Sequence, residues 1–153
     1  LIAGATSLRA QRFAPKVAET PASLTMKIAS VHVITSFAVI VLGTLVTGSG
    51  PHAGDEKAQR FGFDIRTVAW IHADVVIFLL GVTFAFFVAT GTTQATKRRL
   101  KIFTAIALAQ GAIGYIQYFT GIPEVLVAAH LLGATLVWIA AWRIRLSVVR
   151  KHA

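Results

Sequence analysis

The chain has 153 residues, of which 56% are hydrophobic, and a mean hydropathy of +0.71. This composition is typical of membrane helices and unusual for a water-soluble domain. The net charge is +9, but the basic residues lie between apolar runs and form no continuous face, which argues against nucleic-acid binding. The chain has no cysteine, which excludes disulfides, thiolate metal sites and thiol catalysis within it.

The first 25 residues precede the first long apolar run. The short apolar stretch at residues 1–6 is followed by Arg9 and Arg12. In a signal peptide the positive charges precede the apolar stretch, so this order fits a signal peptide poorly. We therefore expect residues 1–25 to be a linker or the tail of a preceding membrane helix.

Four apolar segments are long enough to cross a membrane, at about residues 26–46, 65–90, 100–119 and 123–143. Each has roughly 20 residues, the length that spans about 30 Å of hydrocarbon. The sequence therefore predicts an all-α integral membrane protein. We expect an up-down four-helix bundle over residues 26–145, followed by a basic cytoplasmic tail at residues 146–153.

The basic residues predict the orientation of the bundle. Of the 15 Lys and Arg residues, all but Lys57, Arg60 and Arg66 lie before or at the start of the first segment, between the second segment and the start of the third, or at and beyond the end of the fourth. By the positive-inside rule, both termini are expected to be cytoplasmic in a multi-pass protein of a bacterial plasma membrane. The external loop at residues 48–65 is longer than an ordinary connection, and both a flexible linker and a lid over a site remain open.

Two histidines are expected at one depth, in the second and fourth segments. Asp64 is a suitable N-cap for the second segment, and Pro123 suits the first turn of the fourth, with its cap near Ile122. His72 and His130 then lie equally far past their caps, about 12 Å along each helix. Because these two segments are diagonal neighbours in an up-down bundle, we expect the imidazoles to meet across its centre.

Polar side chains inside a membrane usually mark function. Three interpretations of the pair are open: two separate structural histidines, a proton path through His72 and Asp74, and a haem iron held by both imidazoles. Histidine is a common axial ligand of haem, and bundle cores often hold cofactors. Zinc fits less well, because it takes three or four protein ligands. A lone charge is costly at this depth, so Asp74 is expected to be protonated or paired within the bundle.

Small residues and bases near the pair suit a flat macrocycle. Gly111 and Gly114 lie in the third segment, and Gly133 follows in the fourth. At each glycine, either a planar ring or a neighbouring helix could pack closely against the backbone. The spacing of the glycines does not distinguish these two interpretations. Propionate groups of a haem are expected to pair with bases on the outer side of the membrane: Lys57, Arg60 and Arg66.

The other three histidines need less explanation than His72 and His130. His52 lies in the external loop and His152 in the basic tail, where a solvated histidine needs no special explanation. His32 lies about one turn from the cytoplasmic end of the first segment. It is expected either to be a polar residue near the interface or to cap a cytoplasmic site.

Three runs resemble the C-terminal half of bacterial haem A synthase, and they occur in the same order: LVTGSGPHAGD (45–55), FGFDIRTVAWIHAD (61–74) and QGAIGYIQYFTGIPEVLVAAHLLGA (110–134). The resemblance covers residues 26–145. It implies one half of an eight-helix pseudo-symmetric enzyme, which oxidises a methyl group of haem O to the formyl group of haem A for terminal oxidases. It also implies a haem b held by His72 and His130, and an N-terminal half as partner, on the same or a separate chain.

The sequence departs from the half of that family that binds substrate. Ala69 stands where that half carries a glutamate, three residues before its first ligand histidine, and the cysteine pair of many members is missing. The resemblance therefore implies an electron-carrying or structural half with no catalytic residue of its own. Two alternatives remain, an unrelated small membrane b-type cytochrome and a non-haem subunit of a membrane complex. Both alternatives, like the family resemblance, are compatible with a homo-oligomer in the lipid bilayer.

Overall fold

A computed structural model describes residues 21–50 and 59–152 of the chain. These residues form four α-helices and no strand: α1 Pro21–Ser49, α2 Ile65–Val88, α3 Gln94–Phe119 and α4 Glu124–His152. Each helix is long and apolar enough to cross a membrane. The prediction of an all-α four-helix membrane bundle is confirmed, and the chain is a multi-pass membrane protein.

Neighbouring helices run antiparallel. α1 packs on α2 and α4, α3 packs on α4, and α2 and α3 touch least. Within the described ranges, the pairs α1/α3 and α2/α4 have no close backbone contact, so they are the diagonals of the bundle. The Thr25 hydroxyl at the start of α1 donates to the Thr90 carbonyl beyond α2 at 3.3 Å. At the same end of the bundle, the Thr96 and Ser147 hydroxyls are 3.2 Å apart.

We call this end of the bundle, where α1 and α3 begin, the basic end, and the opposite end, with the short α3–α4 connection, the turn end. Lys97 and Arg98 lie at the basic end within the first turns of α3, which begins at Gln94 rather than near residue 100. The helix starts early because the Thr93 side chain accepts a hydrogen bond from the Thr96 amide at 3.1 Å. An N-cap of this kind satisfies an amide that the helix itself leaves unpaired.

The fourth helix also differs from its predicted bounds. It begins at Glu124, and the Pro123 carbonyl accepts the first amide hydrogen bonds of α4, so Pro123 precedes the helix instead of lying in its first turn. The connection before it uses the left-handed conformation at Gly121 (φ 78°) and Ile122 (φ 59°). At the other end α4 continues to His152, so the residues predicted as a basic tail extend the helix.

Buried apolar side chains are concentrated from the middle of the bundle to the basic end. The largest are Phe86, Phe103, Leu100 and Ile144. Toward the turn end, the described parts of the helices hold no buried apolar side chain. The buried core therefore lies in the basic-end half of the bundle, and the half that contains the predicted histidine pair is more exposed.

The cap of α2 yields a prediction about stability. The Asp64 carboxylate accepts hydrogen bonds from the Thr67 hydroxyl at 2.7 Å and from the Thr67 amide at 2.8 Å. These bonds, the hydroxyl's first, hold the pKa of Asp64 below its ordinary value of 3.8. Because the pKa is lowered on folding, the stabilisation is present above pH 3.8 and is lost as the pH falls through the lowered pKa.

We expect Asp64→Ala to lower the thermal unfolding midpoint at neutral pH in detergent, and Asp64→Ser to restore most of it, because serine is also a good N-cap. Thr67→Val removes the hydroxyl donor and keeps the amide, so it should raise the Asp64 pKa in an NMR titration. An unfolding midpoint that Asp64→Ala leaves unchanged would contradict this account of the α2 start.

Candidate functional site

His72 and His130 both point into the bundle from the diagonal helices α2 and α4. A Cβ atom on Gly43 of α1 would lie 3.3 Å from His72 Cε1, and one on Gly114 of α3 would lie 3.5 Å from His130 Cε1. Each imidazole therefore packs against a glycine of a neighbouring helix and is half-buried. The two rings also lie near enough for an electrostatic interaction between them.

The two ring nitrogens of each histidine differ in their surroundings. Nδ1 of His72 and Nδ1 of His130 are buried without a hydrogen-bond partner. The Val39 carbonyl lies near the His72 ring, but not with the geometry of a full hydrogen bond. Neither Nε2 atom is among the buried atoms without a partner, so the unpaired buried nitrogen is Nδ1 in both rings. An unpaired buried nitrogen costs about 1–3 kcal/mol, which makes two of them in neighbouring rings a feature to explain.

The predicted glycines fall into different environments. Gly114 contacts the His130 ring, whereas a Cβ on Gly111 would meet nothing within 4 Å. Gly133 lies directly against the Gln110 side chain of α3, whose Oε1 atom is buried and has no partner. Gly133 therefore serves the packing of α4 on α3, and of the two glycines predicted in α3 only Gly114 touches a histidine.

Gly43 was not singled out from the sequence, although it forms the closest of these glycine contacts with the pair. A signal for it does exist. It lies in α1 nearly as far from the turn end as His72 lies in the antiparallel α2. A comparison of residue depths between the antiparallel neighbours α1 and α2, in addition to the diagonal helices, would have identified Gly43.

The predicted propionate partners lie at the turn end, on the side of the bundle that holds the histidine pair. Arg60 is half-buried beside the end of α1, where the neighbouring Phe61 amide donates to the Gly48 carbonyl at 3.0 Å. Arg66 is exposed in the first turn of α2, near the Asp64 carboxylate. Lys57 and His52 fall outside the described residues, as do residues 1–20, which contain most of the predicted linker.

Asp74 does not lie within the bundle. It is exposed, because it is two positions from His72 and so faces the opposite side of α2. Pairing of Asp74 inside the bundle, one of its two expected states, is therefore wrong, and its protonation stays a prediction. A direct proton relay between Asp74 and His72 is not formed. Ala69, one turn before His72, is half-buried on the histidine's side of the helix.

His32 is fully buried near the basic end, not at a polar interface. Its ring contacts those of Phe103 and Phe86, with centroids 4.5 Å and 6.0 Å away. Neither ring nitrogen has a hydrogen-bond partner. The expectation that His32 lies near the interface or caps a cytoplasmic site is wrong, because α1 turns it toward the aromatic core.

Among the described residues, no group of three or more His, Cys, Asp or Glu side chains could hold a metal ion. A haem differs from such a site, because its porphyrin supplies four ligands to the iron and the protein needs to supply only the axial ones. Two imidazoles are therefore a sufficient donor set for a haem and an insufficient one for zinc.

No protein family, curated protein or solved structure matches the chain in comparisons with known proteins. A function for the histidine pair must therefore be argued from the geometry of the pair, from the chemistry of its nitrogens and from the sequence runs described above.

The glycine contact with His72 leads to a test. Gly43→Val should displace the imidazole, because even a Cβ atom would lie 3.3 Å from its Cε1 atom. Overpacking of this kind typically costs about 1–3 kcal/mol. Gly81→Val is the matched control, since a Cβ on Gly81 in the neighbouring helix would meet nothing within 4 Å.

We expect Gly43→Val to shift the NMR resonances of the His72 imidazole and to lower the unfolding midpoint more than Gly81→Val does. Equal effects of the two substitutions on both readouts would contradict the packing of the His72 imidazole against α1.

Proposed function

We propose that this chain is a haem b-binding membrane domain equivalent to the C-terminal half of haem A synthase. His72 and His130 would be the axial ligands of the haem iron. The observation that carries the proposal is the geometry of these two side chains. They project inward from diagonal helices, each beside a glycine of a neighbouring helix and each with a buried Nδ1 that has no hydrogen-bond partner.

The residues fit a haem in chemistry as well as in placement. Haem iron takes two axial ligands from opposite faces of a planar ring, and neutral imidazole is a common one. A ligand histidine usually donates its second N–H to a carbonyl or carboxylate, which fixes the ring orientation. The Val39 carbonyl near His72 is suited to that role after a small adjustment of the ring. The side chains of this half of the bundle are also less buried than those of the basic-end half.

Two glycines and two arginines complete the proposed site. Gly111 has open space beside it, so that a flat ring can approach the α3 backbone. Gly114 contacts the His130 ring and positions that ligand. Arg60 and Arg66 lie at the turn end of the bundle, where their guanidinium groups are suited to bind carboxylates of a haem.

A haem with two histidine ligands supplies one-electron transfer, and its iron is shielded from oxygen unless a ligand leaves. The chain's own contribution is to bind and orient the group in a site that largely excludes water. Oxidation of the haem O methyl group would then take place in a partner N-terminal half, which would carry the catalytic residues. This half would supply electrons or structural support to that reaction.

We infer that the protein lies in a bacterial plasma membrane with its basic end in the cytoplasm, as the positive-inside rule requires. Exposed aromatic side chains lie toward the turn end: Trp70, Tyr115, Tyr118 and Phe119. Their rings suit the opposite membrane interface, where amphipathic aromatics are enriched.

The central test is ligand replacement with chemical rescue. His72→Gly or His130→Gly should abolish the low-spin b-type absorption spectrum of the purified protein, because an axial ligand is lost. Added imidazole should restore it by entering the space left by the side chain. The control is Ala73→Gly, which places a glycine next to His72 on the exposed side of α2.

Rescue by imidazole separates a ligand from a residue needed only for folding, which free imidazole would not replace. An unchanged spectrum in either glycine variant, or haem loss that imidazole does not reverse, would overturn the ligand assignment.

Co-expression with an N-terminal half then tests the enzyme assignment, since haem A formation should depend on His72. A haem spectrum without such dependence would indicate a membrane cytochrome, and a wild-type protein purified without haem would indicate a non-haem subunit.

A further inference from the structure

A cleft of about 500 Å³ opens between α2 and α3 in the basic-end half of the bundle. Its walls are mainly apolar and include Leu80 and Phe84 of α2 and Leu108 of α3. It exists because α2 and α3 are the neighbouring helices with the fewest close backbone contacts. The cleft lies away from the histidine pair and has no part in the proposed function.

Two lysines meet at the end of this cleft. The Nζ atoms of Lys97 and Lys101 lie 5.5 Å and 5.8 Å from the centroid of the Phe87 ring. Phe87 and Lys101 both line the cleft. Each ammonium group therefore makes a cation–π contact with the same aromatic ring. This arrangement brings two positive charges together at the mouth of an apolar groove.

The charges near these amines are unbalanced. The three acids among the described residues lie elsewhere: Asp64 and Glu124 flank the turn end, and Asp74 lies in the half of α2 nearer to it. Like charges four residues apart on a helix repel each other, as Lys97 and Lys101 do.

The helix itself adds to this imbalance. The first turns of α3 carry the partial positive charge of the helix dipole, so bases there are unfavourable. A bound anion would relieve both the lysine repulsion and the dipole interaction.

We infer that this cleft binds an anionic phospholipid. The phosphate lies between the Lys97 and Lys101 amines, and an acyl chain follows the groove toward Leu108. From Leu100 to Leu108 the groove runs about 12 Å along α3, the length of a substantial part of an acyl chain. Basic pockets between membrane helices are known to bind anionic headgroups in this way. The apolar walls distinguish a lipid from free phosphate, which would gain nothing from them.

The test uses the full chain in phosphatidylcholine vesicles that contain spin-labelled phosphatidylglycerol or spin-labelled phosphatidylcholine. The fraction of motionally restricted label gives the selectivity of the protein for the anionic lipid. We expect several-fold selectivity in the wild-type protein, and loss of most of it in the double variant Lys97→Gln/Lys101→Gln. The matched control is Arg98→Gln/Arg143→Gln, which removes the same charge from exposed residues that do not line the cleft.

A second variant tests the groove itself. Thr104→Trp fills the cleft without changing any charge, and it should also reduce the selectivity for phosphatidylglycerol. Helical circular dichroism and the unfolding midpoint verify that each variant is folded. Added inorganic phosphate should leave the selectivity intact, because it cannot occupy the groove.

Three results would overturn the inference. The first is an equal loss of selectivity in the lysine and arginine double variants, which would indicate a general surface potential. The second is full competition by inorganic phosphate, which would indicate a simple anion site. The third is a change in oligomeric state with Thr104→Trp at unchanged lipid selectivity, which would indicate that a protein helix fills the cleft.

Discussion

The contact between an imidazole and a glycine of the neighbouring helix occurs twice in this bundle and governs its turn-end half. His72 lies against Gly43 and His130 against Gly114, so one edge of each ring is covered by the backbone of a neighbouring helix. A larger residue at either glycine would turn the ring or separate the helices. The inward projection of both rings, and with it the chemistry available to the pair, depends on these two small residues.

The two halves of the bundle have different packing. Around the basic end, the rings of Phe86 and Phe103 contact the buried His32, and α1 is joined to its neighbours by hydroxyl and thioether contacts. Hydroxyls inside the spans are satisfied by carbonyls of their own helix, as Thr83 and Thr104 illustrate. The buried core of the basic-end half can thus stabilise the bundle, while the turn-end half holds the less buried His72 and His130.

The charges follow the same division. Bases in the first turns of α3 oppose the helix dipole, which is a cost that packing at the basic end must offset. At the turn end, Asp64 and Glu124 lie at helix starts, where the dipole favours them. One end is therefore electrostatically satisfied within the chain, whereas the other presents positive charge to its surroundings. The proposed anionic phospholipid would supply the missing counter-charge.

Hydropathy, spacing and capping chemistry determined the number of spans, the membrane class, the Asp64 cap and the near-equal depth of the histidine pair, because these properties depend on residues close together in the chain. The tertiary structure decided which face of each helix turns inward. It directed Asp74 outward, buried His32 against Phe103 and placed Gly43 against His72. An apolar span has almost the same composition on every side, so its rotation is set by packing against the other helices and cannot be read from its own sequence.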